Sequence, residues 1–382
     1  MIFERLPLLG NPDMPLQLLA DFALHMISLW TRCYEEQLWP PIKFLVSLIA
    51  FTFQLNTSFV VPQVFKELIP VAQASVFLVA EGPQRLQDGT ITNADEYNAL
   101  EQHIDTSQIL SLLYTTAQGC ATTPAETEDG VRHHAASMFW ELFSFETVRL
   151  LLAPKQRFAD IVETLELIGT SSLPDSIGPI VDGREAAATA SAVIDRVSAK
   201  LTEHSRAPNT PWQKRCIRDA ALRALVAFAR HPFGARQLAS HRDALPRLVV
   251  CLSTSIDDLY DQPLSLSALP PLPKSLRSSS LKIPESTAFP ELYHIISQCV
   301  LLMHALITDP LTAELADISG KLAVCHGGHQ RYLIALGRLT FAEEDLVLEA
   351  GIEGEIVEAA HELLEMAVTP ERGEFVSEAF GA

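Results

Sequence analysis

Apolar residues recur every three or four positions along nearly the whole chain, and runs of strict alternation flanked by hairpin turns are scarce. The spacing predicts helices over 14–38, 41–58, 61–80, 93–118, 129–152, 156–169, 184–205, 211–230, 235–255, 288–308, 311–324, 328–339, 342–350, 353–367 and 370–380. The predicted fold class is therefore all-α. Several connections carry Pro or Gly where one helix must stop and the next turn back: LWPP at Leu38–Pro41, VVP at Val60–Pro62 and ARHPFG at Ala229–Gly234. Short connections of this kind predict that successive helices pack antiparallel. The clearest pair is 211–230 with 235–255, in which Ala221, Leu222, Leu225, Phe228 and Ala229 face Leu245, Leu248, Val249 and Leu252. Armadillo and HEAT repeats use about 40–47 residues per unit, and no single pair buries its apolar side alone, so an α-solenoid of HEAT/armadillo-like helix pairs is expected in preference to a closed bundle.

One stretch breaks the pattern. Between Asp261 and Pro290 stand six prolines and the serine-rich, basic KSLRSSSLK at Lys274–Lys282. Such a composition predicts an irregular surface connection. It divides the expected organisation into an N-terminal helical-repeat array (1–260), a Pro/Ser-rich connection (261–290) and C-terminal helical repeats with acidic terminal helices (291–382). Phosphate added at Ser278–Ser280 would meet Arg277 and Lys282, so regulation by phosphorylation stands beside the plainer reading as a surface loop.

With 48% hydrophobic residues among 382, the chain has ample material for a core. Its net charge is −19, and the acids cluster: Phe341–Phe380 holds 12 Asp or Glu against Arg372 alone, a local balance of 1 − 12 = −11. Direct nucleic-acid binding needs clustered Lys and Arg and is not expected. Cys33, Cys120, Cys216, Cys251, Cys299 and Cys325 are widely spaced, with no CxxC pair, and read as small buried hydrophobes in a reducing intracellular compartment. The opening MIFERLPLLGNPD lacks a secretory pattern. The charge-free run Phe44–Phe65 is interrupted by Gln54, Asn56, Thr57, Ser58 and Pro62, which predicts two buried helices and no membrane association.

Three clusters invite a chemical reading. IDDLYD at Ile256–Asp261 holds DDxxD, a pattern that shares Mg²⁺ with a diphosphate in all-α enzymes, so a Mg²⁺-dependent enzyme using Asp257, Asp258 and Asp261 is the enzymatic alternative. No second acidic motif follows it, and solvated helix-end carboxylates are the simpler account. CHGGH at Cys325–His329 offers a thiol and two imidazoles, but structural zinc needs four ligands, and Gly327–Gly328 more simply makes a turn or a close helix contact. His133 and His134 point to different sides of a helix. No G-x-S-x-G, GxxxxGK[ST] or GxGxxG occurs, so catalytic, metal and cofactor-binding residues are all expected to be absent.

The tail is the most patterned segment. Thr340 and Glu343 have capping-box spacing, and Gly351 closes the short helix after them. The next helix sets Ile356, Ala360, Leu363, Leu364 and Ala367 on one side and Glu355, Glu358, Glu362 and Glu365 on the other. Thr369–Pro370 starts a last helix, whose Phe375, Val376, Ala379 and Phe380 form an apolar stripe.

These residues carry a resemblance. FAEEDLVLEAGI (Phe341–Ile352), AHELLEMAVTPERGE (Ala360–Glu374) and the EAF close (Glu378–Phe380) resemble the C-terminal end of fungal members of the ATR-interacting protein family, over about fifty residues from His329 to Phe380. The resemblance implies a non-catalytic helical-repeat scaffold in the nucleus. It would bind the helical-repeat region of the ATR checkpoint kinase in DNA-damage signalling and support a homodimer within that assembly. The residues expected to meet the partner are Leu346, Leu348, Phe375, Val376 and Phe380, with Glu358, Glu362 and Glu365 as an acidic face. In the family, contact with replication protein A belongs to an N-terminal acidic segment followed by a coiled coil, and this sequence has neither before its first helix. The alternative of the same type is a HEAT or armadillo adaptor of another large complex.

Overall fold

The computed structural model describes residues 16–87, 94–122, 124–126, 132–181, 185–203, 210–260, 288–341 and 354–368. The fold is all-α and of the helical-repeat, solenoid-like type, with one short hairpin among the described residues, Pro124–Glu126 (β1) with Arg132–His134 (β2). Two compact units divide the chain: residues 1–196 with 205–207, and residues 197–204 with 208–382.

In the first unit α1 (Gln17–Glu35) packs on α2 (Ile42–Leu55) and on the long α3 (Thr57–Gln87). The buried Trp30 donates its indole N–H to Ser75 Oγ at 3.1 Å, tying α1 to α3. The predicted stop at VVP is not a stop. The chain breaks earlier, at Asn56, whose Oδ1 accepts the Phe59 N–H at 3.1 Å, and α3 then runs through Pro62 and Pro70. A proline inside a helix costs about 3 kcal/mol. Burial of Val60, Val61, Val64, Phe65, Leu68 and Ile69 offsets it, since one such side chain contributes about 1.5–3 kcal/mol. α2, expected to be a buried helix, buries Ile42, Leu45, Val46, Ile49 and Phe53 on one side and leaves Phe44 71% exposed on the other.

The helix predicted over 93–118 is two, α4 (Ala94–His103) and α5 (Thr106–Ala121), because Asp105 caps the second through the Gln108 N–H. The helix predicted over 129–152 likewise divides. It becomes β2, α6 (Ala135–Leu142) and α7 (Phe145–Leu151), with Ser144 as the cap of α7. His133 and His134 therefore sit in a strand and not on a helix. Phe139, Trp140 and Phe143 form an aromatic cluster with ring centroids 5.1–6.0 Å apart. From α8 (Phe158–Gly169), packed on α5, the buried Asp160 accepts from Thr106 Oγ1 at 2.6 Å and from Arg157 Nε at 2.8 Å. α9 (Ala186–Ala199) runs across the division.

The second unit holds α10 (Pro211–Phe228), α11 (Pro232–Ser240), α12 (Ala244–Tyr260), α13 (Ala288–Thr308), α14 (Ala313–Ala316), α15 (Ile318–Ala323), α16 (Gly328–Thr340) and α17 (Gly354–Ala367). The expected helix 235–255 is broken at 241–243, and Pro232 opens α11 at its first turn. Leu222, Leu225, Phe228, Leu245, Leu248, Val249 and Leu252 are all buried as predicted, whereas Ala229 is half-buried. Their main partner is different: α10 and α12 both pack on α13, which follows them by a long stretch of sequence. A helix with Ile295, Ile296, Cys299, Val300 and Met303 fully buried covers both apolar faces at once, which a neighbouring hairpin partner could not do. Residues 261–287 lie outside the described residues, and with them the Ser278–Ser280 reading; the helices before and after that stretch belong to one unit. Among the described residues two helices, over 57–82 and 291–308, are long and apolar enough to cross a membrane, and their inward residues form the cores just described.

Candidate interaction surface

α17 presents the acidic ridge that the tail pattern predicts. Ile356, Ala359, Ala360, Leu363 and Leu364 are buried where the helix lies on α13 and α16, while Glu355, Glu358, Glu362 and Glu365 are exposed. Ala367, expected inside, is half-buried. A 14-residue helix is marginal by itself in water, so its helicity depends on this one-sided docking.

The helix contains neither Lys nor Arg. His304, on α13, places Nε2 2.6 Å from Glu362 Oε2, and His361 places Nε2 3.1 Å from Glu365 Oε1. Glu355 and Glu358 have no ion-pair partner among the described residues. Glu355 in the first turn suits the positive end of the helix dipole; Glu365 in the last turn opposes the negative end. The His304–Glu362 contact spans 58 residues, and nothing local in the sequence announces it.

Glu358, Glu362 and Glu365 are thus brought onto one exposed ridge. Leu346, Leu348, Phe375, Val376 and Phe380 lie outside the described residues, as do Glu343, Gly351 and the Thr369–Pro370 corner. Thr340 is not a cap: it ends α16, and its hydroxyl donates to the Leu336 carbonyl at 3.0 Å. A threonine bonded back into its own last turn has no oxygen aimed at the next helix.

The chemical clusters resolve into structural roles. Asp257 is held by Arg338 and Asp258 by Arg218, the latter at 3.6 Å, so the two carboxylates serve different arginines; Asp261 lies outside the described residues. In CHGGH, Gly327 adopts φ +67°, and a Cβ on Gly328 would come within 2.7 Å of the Leu322 carbonyl oxygen, so both glycines are used for a turn and a close approach. No group of three or more His, Cys, Asp or Glu is placed to hold a metal ion among the described residues. The cysteines depart from expectation. Cys120, Cys251 and Cys299 are buried, but Cys33 and Cys216 are half-buried and Cys325 is exposed, so the cysteine pattern supports no inference about compartment. Burial pushes the Cys120 thiol up to about 12.

A family model described as "Rad26-like, helical repeats" matches residues 71–307, and one described as "Rad26-like, C-terminal domain" matches residues 316–380. The chain belongs to the Rad26-like family. This corrects the family read from the tail in both name and extent: the matching models are Rad26-like, and the likeness runs through the helical repeats as well as the last fifty residues. A solved structure agrees, the crystal structure of Myceliophthora thermophila Rad26 (residues 373–841), at 39% identity and a TM-score of 0.81. The match covers 97% of this chain and 92% of that one. No curated protein matches.

Proposed function

We propose that this chain is a non-catalytic scaffold of a nuclear DNA-damage checkpoint assembly, binding the helical-repeat region of an ATR-type kinase and supporting its dimeric form. Membership of the Rad26-like family, a family of checkpoint-kinase partners, is the observation that carries the reading. The α17 ridge supports it physically. Four exposed carboxylates on a helix docked along its other side form a charged ridge suited to a basic groove on a partner solenoid, and Glu365 keeps its place against the helix dipole. Scaffolding of this kind needs neither nucleotide nor metal.

The test is charge reversal at Glu358, Glu362 and Glu365 together, followed by co-purification with the kinase from nuclear extract. All three side chains are exposed, so the fold should survive the change. Loss of the kinase at unchanged melting temperature is the expected result. Undiminished capture would place the interface elsewhere.

A further inference from the structure

Two motifs that stand far apart in the sequence, IDDLYD and CHGGH, meet in the second unit. Ser253, Ile256 and Asp257 of α12 form one wall of a cavity of about 340 Å³, and His326, Arg331, Ile334 and Arg338, on or just before α16, form the other. The α16 wall is cationic. From Ile318 to Phe341 there is no Asp or Glu in a chain whose net charge is −19, while Lys321, Arg331 and Arg338 fall in that stretch. Arg331, Ile334 and Arg338 follow one another at intervals of three and four residues, which sets them on one side of the helix with the two guanidinium-bearing positions about 10 Å apart along the axis.

The three side chains differ in how they are engaged. Arg338 already holds a carboxylate, that of Asp257. Arg331 is exposed and has no carboxylate partner among the described residues. Ile334 between them is 45% exposed, an aliphatic surface flanked by two cations. A guanidinium takes a carboxylate through two parallel N–H···O bonds, and an open groove on an otherwise acidic molecule attracts anions locally while the rest of the surface repels them.

We propose that this α12–α16 groove binds an acidic peptide segment in which an apolar side chain lies between two carboxylates. The apolar side chain covers Ile334, one carboxylate pairs with Arg331, and the other joins or displaces Asp257 at Arg338. The site is separate from the acidic ridge of α17 and opposite to it in charge, so the chain offers one surface to a basic partner and one to an acidic partner. The groove does not depend on the kinase reading.

Fluorescence anisotropy with a fluorescein-labelled synthetic peptide, Glu-Glu-Leu-Leu-Glu-Glu, tests it on the full chain. Saturable binding that weakens as salt is raised is expected, together with a loss of about tenfold or more on Arg331→Glu and on Ile334→Asp. Lys43→Glu, an exposed change of the same charge in the first unit, should leave the affinity unaltered. Circular-dichroism melting confirms that each variant is folded. Absence of saturable binding to the unaltered chain overturns the proposal. So does equal weakening by Lys43→Glu, or equal binding of the peptide with lysine in place of every glutamate.

Discussion

Leu363→Ala measures how firmly the acidic ridge is mounted. Leu363 is buried on the underside of α17 at 1% exposure, where it packs with Ile356, Ala359, Ala360 and Leu364 against α13 and α16. Truncating a buried leucine to alanine costs about 3 kcal/mol, the transfer free energy of the lost methyls plus the cavity they leave. A short helix without this docking is not stable, so the loss falls on local opening of α17 more than on global unfolding. At 1.4 kcal/mol per factor of ten, a loss of about 3 kcal/mol raises the open fraction roughly a hundredfold. Hydrogen exchange followed by mass spectrometry reads this directly: amides in 354–367 should lose about two decades of protection, and those of α1 and α3 should keep theirs. Glu358→Ala, on the exposed side, serves as the control and should shift protection by well under one decade. If Leu363→Ala leaves exchange over 354–367 unchanged, α17 is not held by its apolar side. The ridge would then not be a rigidly presented surface.

Other outcomes follow from the same contacts. Asp160→Ala leaves Arg157 and Thr106 without their shared acceptor, and because Arg157 is 40% exposed and keeps its ion pair with Glu101 the cost should fall below the roughly 3–5 kcal/mol of a fully buried pair, at about 2–3 kcal/mol in a denaturant titration, with Asp160→Asn milder. Thr210→Ala removes the capping box with Gln213 at the start of α10 and should cost about 1 kcal/mol by the same method. Gly328→Ala forces a Cβ against the Leu322 carbonyl and should cost about 1–3 kcal/mol, read as a lowered melting temperature. Burial raises the Cys120 thiol from 9.0 to about 12. The native state therefore holds that proton longer than the unfolded chain, so the contribution of Cys120 is fully present below pH about 9 and is lost as pH rises toward about 12. Chemical denaturation across that window, with Cys120→Ala as reference, should show the loss only when the thiol is present.

The helical class and the apolar faces were legible because each helix repeats its own burial pattern every turn. Leu222, Leu225, Leu248 and Leu252 could be placed inside from spacing alone, and so could the division of α17 into a leucine side and a glutamate side. The stops were less legible. Pro62 looked like a terminus and is interior, while Asp105 and Ser144 are caps inside stretches that read as continuous helices. A cap depends on one side chain meeting one N–H, and periodicity averages over that detail.

By itself the sequence determined most of the large apolar residues that the helices bury, that acid would dominate the exposed side of α17, and that the glycines of CHGGH serve the backbone. Those are local properties, set by side-chain volume, charge and the helical period. The tertiary structure alone decided which face covers which. α10 and α12 were expected to face each other and instead share α13, because one long apolar helix can cover two faces. It also gave Asp257 to Arg338 and Glu362 to His304, 81 and 58 residues away. An ion pair is fixed by where two backbones happen to approach, and no periodicity in one segment records the position of another.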